Sequence, residues 1–178
     1  MQFQCLTGRD DVIPFPWQVR LWEHLRRGKV PAAVDVPTGL GKTSVLACWL
    51  LAHSGRATEA PGLLPRRLVY VVDRRAVVDQ ASGEAETLAS NWEKVAGAGS
   101  LGLRLGTLRG QHIDSGAWLD APGDLAIVVG TVDMIGSRLL FSGYGVSPGM
   151  RPVHAGLLGT DTLLVLDEAH LAPSFATM

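Results

Sequence analysis

The stretch VPTGLGKT, Val36 to Thr43, decides the fold. A short apolar segment, Ala32 to Val36, precedes it, and Thr43 to His53 follows with apolar residues nearly all round. The first reads as a buried strand and the second as a buried helix. A glycine-rich turn between strand and helix is the setting of a phosphate-binding loop. Gly39 and Gly41 permit tight turns and close approach of backbone to an anion. Backbone N–H groups of Thr38, Gly39, Leu40 and Gly41, with the positive end of the next helix, form the cradle. Lys42 supplies a mobile positive charge for β- and γ-phosphates, and the Thr43 hydroxyl suits a magnesium ion. The usual pattern opens on Gly, whereas Val36 stands there in this chain.

A second motif, LLVLDEAH, spans Leu163 to His170. An apolar strand ends on two adjacent carboxylates, and in open α/β sheets ligands bind at the carboxyl ends of strands. Asp167 is placed to hold Mg²⁺ and Glu168 to orient and deprotonate an attacking water. His170 reads as a coupling residue rather than a chemical one.

Between the two motifs, apolar strands alternate with helical patterns, which specifies an α/β domain with a mostly parallel sheet. Strands are expected at Leu68 to Val72, Leu101 to Leu105, Leu125 to Val129 and Thr162 to Leu166. Helices are expected over 17–27, 76–95 and 132–141. Residues 54–66 and 142–159, rich in Gly and Pro, read as loops.

Composition narrows the function classes. The chain has 178 residues, 47% hydrophobic and 19% charged, which excludes wholesale disorder. No apolar run reaches the length of a membrane span, and the first residues lack the pattern of a secretory signal. The net charge of −1 gives no global basic footprint for nucleic acid, although 13 of the 16 basic residues are Arg, the better phosphate fork. Two distant cysteines form neither a metal cluster nor a disulfide framework, as expected in a reducing cytoplasm.

The phosphate loop and DEAH box together resemble superfamily 2 helicases and translocases. The resemblance implies a P-loop NTPase with a RecA-like parallel sheet flanked by helices, and ATP with Mg²⁺ as cofactors. PFPWQ, Pro14 to Gln18, is similar to the family's adenine-recognising motif. Gln18 would then read the adenine edge beside Phe15 or Trp17. VVDRRAVVDQA, Val71 to Ala81, is similar to a strand-contacting motif, which implies phosphate contacts by Arg74 and Arg75. The Gly-Thr of VVGTVDMIGSRLLFSGYGVSP implies a phosphate contact by Thr131. LRGQ, Leu108 to Gln111, resembles a further contacting loop through Arg109.

A narrower resemblance, over roughly residues 14–173, is to the helicase part of the CRISPR-associated helicase–nuclease of type I systems. TVDMIGSRLLFSGYG and HAGLLGTDTLLVLDEAHL carry it. It implies 3′-to-5′ movement on single-stranded DNA and recruitment by a guide-RNA surveillance complex, with no membrane. The nuclease's His-Asp dipeptide, the Ser-Ala-Thr motif after DEAH, and a second motor domain with its arginine finger do not occur in these residues. The expectation is that residues 1–178 are the N-terminal part of a first RecA-like domain. Its sheet would be incomplete, because the Ser-Ala-Thr strand lies between the phosphate-loop strand and the DEAH strand. Two other readings remain open: a restriction, repair or RNA translocase of the same superfamily, and a non-catalytic ATP-binding assembly module.

Overall fold

The computed structural model describes residues 2–9, 11–54, 64–97, 99–109, 112–113 and 116–177. The chain divides into two compact units, residues 1–64 with 84–100, and residues 65–83 with 101–178.

The first unit is helical. Helix α1 (Gln2–Thr7), α2 (Pro16–Leu25), α3 (Val45–Ala52) and the later turns of α4 (Arg75–Ala96) build it. Pro16 sits in the first turn of α2, where its missing N–H costs nothing. The helix stops at Leu25, two residues short of the expected end, and a turn follows to Gly28 at φ 68°. Helix α3 buries every residue from Leu46 to Ala52, because its sequence offers no polar face. Leu21 and Leu25 of α2, Leu6 of α1, and Leu88 and Trp92 of α4 are buried in the same unit.

Residues 32–36 correct the first expectation. They do not form a strand, and residues 32–35 are exposed. A strand exists only as a member of a hydrogen-bonded pair. Among its described residues the first unit contains no other strand.

The second unit carries a five-stranded sheet of order β3-β2-β4-β1-β5. Its members are β1 (Arg67–Val72), β2 (Leu103–Arg109), β3 (His112–Ile113), β4 (Leu125–Thr131) and β5 (Thr162–Leu166). Strands β2, β4, β1 and β5 run parallel, and β3 is antiparallel to β2. The α/β class and parallel sheet therefore hold. Strands β1 and β4 are buried throughout, which explains their unbroken apolar sequences. β5 pairs only with β1 among the described residues; Leu164 is 39% exposed. Register aligns Val72 with Thr131 and Val71 with Leu166, so β1, β4 and β5 end at one edge.

Helices α5 (Ala117–Asp120), α6 (Val132–Leu139) and α7 (Arg151–Gly159) belong to this unit, with α8 (Pro173–Ala176) at its end. Its core joins Val69, Val71, Val128, Trp118, Ile135 and Leu158. Helix α7 corrects the loop expected over 142–159. Pro152 lies in its first turn, and His154, Ala155 and Leu158 are buried. Strand β2 starts two residues later than expected and runs to Arg109, so Leu108 and Arg109 are strand residues rather than a loop. Gly110, Gln111 and most of the loop expected over 54–66 lie outside the described residues. Among the described residues no helix is long and apolar enough to cross a membrane.

Candidate nucleotide and nucleic-acid sites

The phosphate loop lies in the first unit. Gly39 and Gly41 adopt φ 82° and 67°, the left-handed region that side chains disfavour. Nothing lies within 4 Å of a Cβ built at Gly39, and Thr38, Gly39 and Gly41 are exposed. Lys42–Ser44 form a 3-10 turn that leads into α3. This is an open, glycine-bent cradle with Lys42 and Thr43 at the helix start, and it fits a nucleotide phosphate.

The PFPWQ segment braces that loop. Gln18, 5% exposed, accepts the Phe15 N–H at 2.8 Å and donates to the Ser44 hydroxyl. Ser44 in turn donates to the Gly41 carbonyl. The Trp17 indole donates to the Leu40 carbonyl at 3.1 Å. Both ends of the Gln18 amide are thus tied to protein. Ser44 is a loop residue that sequence reasoning missed; its place after Gly-Lys-Thr was the available signal. Cys48, whose thiol burial pushes up to about 12, is inert beneath the loop, with Sγ 3.5 Å from the Gln18 carbonyl oxygen.

In the second unit Asp167, Glu168 and His170 follow β5. The Asp167 N–H donates to the Val71 carbonyl at 2.9 Å, continuing the sheet one residue. The Tyr70 hydroxyl donates to Asp167 Oδ2 at 2.8 Å, which fixes the carboxylate. Sequence reasoning did not single out Tyr70, because an aromatic in LVYVV reads as core. Glu168 has φ 49°, ψ 52°, a left-handed conformation costly for a residue with a Cβ. His170 Nδ1 lies 3.5 Å from Glu168 Oε2.

Thr43 and Asp167 are hard oxygen donors, the type Mg²⁺ takes alongside phosphate oxygens. Among the described residues no three His, Cys, Asp or Glu side chains gather as a protein-only metal site. Thr43 of the first unit and Asp167 of the second each carry an oxygen of the type that suits a cation carried in with a nucleotide.

The strand-contacting candidates divide. Arg75 and Thr131 line one cavity of about 600 Å³, with Asp73, Asp133, Met134 and Tyr144. Thr131 caps α6, its hydroxyl oxygen accepting the Met134 N–H at 3.4 Å, and its own O–H remains to donate. Arg74 is exposed and lies 3.8 Å from Asp73. Arg109 pairs with Asp79 of α4 and is not among the residues lining that cavity.

A family model described as DEAD/DEAH box helicase matches residues 15–174. No curated protein and no solved structure matches the chain significantly. The match begins at the PFPWQ segment and ends past the DEAH box, so it takes in the phosphate loop, the parallel sheet and the paired carboxylates together. The chain belongs to the DEAD/DEAH box helicase family.

Proposed function

We propose that the chain is the ATP-binding part of a superfamily 2 DNA helicase of type I CRISPR interference. It would move 3′-to-5′ on single-stranded DNA displaced by a guide-RNA surveillance complex. The carrying observation is α6, α7 and the loop between them. With Thr131, which precedes α6, they contain TVDMIGSRLLFSGYG and HAGLLG, from the segments of narrower resemblance, and α6 packs against α7.

In this reading the backbone of Thr38, Gly39, Leu40 and Gly41 holds the phosphates and Lys42 their charge. Thr43 and Asp167 would each offer an oxygen to Mg²⁺, which would supply charge neutralisation of the phosphates. Glu168 orients a water and accepts its proton, and His170 couples Glu168 to the next domain. Arg74, Arg75, Arg109 and Thr131 meet strand phosphates, Arg109 after leaving Asp79. An arginine finger, worth roughly 10³–10⁵ in turnover, comes from a second motor domain. Turnover by residues 1–178 alone is therefore very slow.

The test is retention of the ATP-loaded chain on a guide-RNA surveillance complex, with and without bound target DNA. The expected result is retention that needs the displaced single strand, with oligo-dT competing better than RNA of matched length. Preference for RNA, or retention without target DNA, overturns the reading. Fast DNA-stimulated turnover by the chain alone, lost in Lys42→Ala, removes the need for a second motor domain.

A further inference from the structure

The loop after α6 exposes an aromatic ring on a backbone that is held at several points. Tyr144 is 63% exposed although it lines the cavity with Arg75 and Thr131. Ser142 and Gly143 both donate their N–H to the Ser137 carbonyl, at 2.8 and 2.9 Å. Arg138 is fully buried and donates to the Met134 carbonyl at 2.9 Å and to the Tyr144 carbonyl at 3.3 Å. Gly143 and Gly145, at φ 52° and 71°, bend the chain on either side of Tyr144. A buried guanidinium is costly to desolvate. Here it holds the main chain of a loop whose own aromatic side chain contributes little to the core.

We propose that Tyr144 is a base-stacking platform, and that the cavity beside it takes one unstacked nucleotide of a single strand. The inference deepens the strand-binding reading above and rests on it. The cavity is not simply basic. Arg75 and the Thr131 hydroxyl offer one phosphate its donors. Asp73 and Asp133 repel a second phosphate but accept hydrogen bonds from the N–H groups of a base, the ring N–H of thymine included. Met134 adds an apolar wall. A strand that only slid its backbone through the site would meet two carboxylates at a disadvantage, whereas a nucleotide with its base turned inward matches each group. The ring waits on a fixed backbone, so little ordering cost falls on binding. Stacking on a single ring tolerates any base and requires a single strand, because bases in a duplex are already stacked.

The test is fluorescence anisotropy of the full chain with labelled dT12 and with a twelve-residue abasic strand, which keeps the sugar–phosphate and lacks the bases. Tyr144→Ala is expected to weaken dT12 roughly 5- to 100-fold, and Tyr144→Phe to restore it. Affinity for the abasic strand is expected to be the same for wild type and Tyr144→Ala. The salt dependence of dT12 binding should stay unchanged in Tyr144→Ala and become shallower in Arg75→Ala. Unchanged dT12 affinity in Tyr144→Ala, or an equal loss on both strands, overturns the stacking platform while leaving strand binding intact. Failure of wild type to bind either strand overturns the reading beneath it as well. Sedimentation covers the other occupant: a dimer abolished by Tyr144→Ala with dT12 affinity unchanged assigns the ring to a protein interface and ends the proposal. Tyr144 is exposed, and circular dichroism of the variants checks that they fold.

Discussion

Tyr70 reaches across from β1 and donates its hydroxyl proton to Oδ2 of Asp167, 2.8 Å away, one residue past the end of β5. The bond occupies one carboxylate oxygen and orients the other. Oxygen ligands of a metal depend on such partners, whose loss typically costs 10–100-fold in metal affinity. Tyr70→Phe keeps the buried ring and deletes only the hydroxyl. It is expected to raise the Mg²⁺ concentration needed for half-maximal ATP binding by about 10-fold. Stability should fall by only about 1 kcal/mol, the net value of one hydrogen bond. Nucleotide binding across a Mg²⁺ titration reads the first effect and urea unfolding the second.

Glu168 stores backbone strain next to that bond. At φ 49° its Cβ crowds the following carbonyl, at roughly 1–2 kcal/mol. Glu168→Gly relieves the crowding but gives the unfolded chain more freedom, about 0.4–1 kcal/mol. The expected outcome is a small rise in Tm for Glu168→Gly and none for Glu168→Gln. ATP affinity should be kept in both and hydrolysis by the complete motor lost in both. A fall in Tm for the glycine variant would show that the side chain stabilises the turn more than the strain opposes it.

Gln18 has two candidate roles, which an ATP–GTP competition separates. Its amide is tied to Phe15 and Ser44, so its first effect is on the shape of the phosphate loop. Gln18→Ala removes the bond to the Phe15 N–H at the start of α2 and the donor to Ser44. It should cost about 1–2 kcal/mol of stability. Affinity for ATP and for GTP should fall by the same factor. A loss confined to ATP would instead assign Gln18 to the adenine edge, as the resemblance implies.

Much of the fold, and the pattern of the candidate site, is legible in the sequence. Gly39, Gly41, Lys42 and Thr43 announce themselves by residue type, and β1 and β4 by unbroken apolar runs that are buried throughout; β5 is as apolar but only half-buried. What escaped depends on partners far away in the chain. Residues 32–36 have the composition of a strand but, among the described residues of their unit, no neighbouring strand to pair with. Helix α7 has two glycines and a proline, poor helix formers, yet burial of His154, Ala155 and Leu158 decides its conformation. The Tyr70–Asp167 bond joins residues 97 positions apart, and nothing local in either marks the other. Arg138 reads as a surface cation in sequence and is fully buried in the fold.

His154 gives the second unit a pH dependence of known sign. Burial first, and then the charge of Arg138, hold its imidazole below the ordinary value of 6.5. The folded chain therefore keeps His154 neutral where the unfolded chain takes up a proton. Its contribution to stability is complete above pH 6.5 and declines as the pH falls towards the lower folded value. His154→Asn cannot titrate, so the wild-type minus variant difference in unfolding free energy should be flat from pH 8 to 7 and shrink below 6.5. A difference that grows on acidification would mean that protonated His154 gains a partner, against the placement of Arg138.

Gly106 offers the sharpest packing test, because its missing side chain makes room for a single ring. A Cβ there would overlap Cδ1 and stand 2.8 Å from Nε1 of Trp118, itself fully buried. Neither can yield easily: Gly106 is held in β2 by its pairing with β4, opposite Val128, and the indole is enclosed by the core. Overpacking of this kind typically costs 1–3 kcal/mol. Gly106→Ala should therefore lose about 2 kcal/mol in urea unfolding. Trp118→Leu should lose more on its own, by emptying the space above the strand. Together the two changes should cost less than their sum, since the shorter side chain leaves room for the added methyl group. Additive losses would place the strain elsewhere than at the contact between β2 and α5.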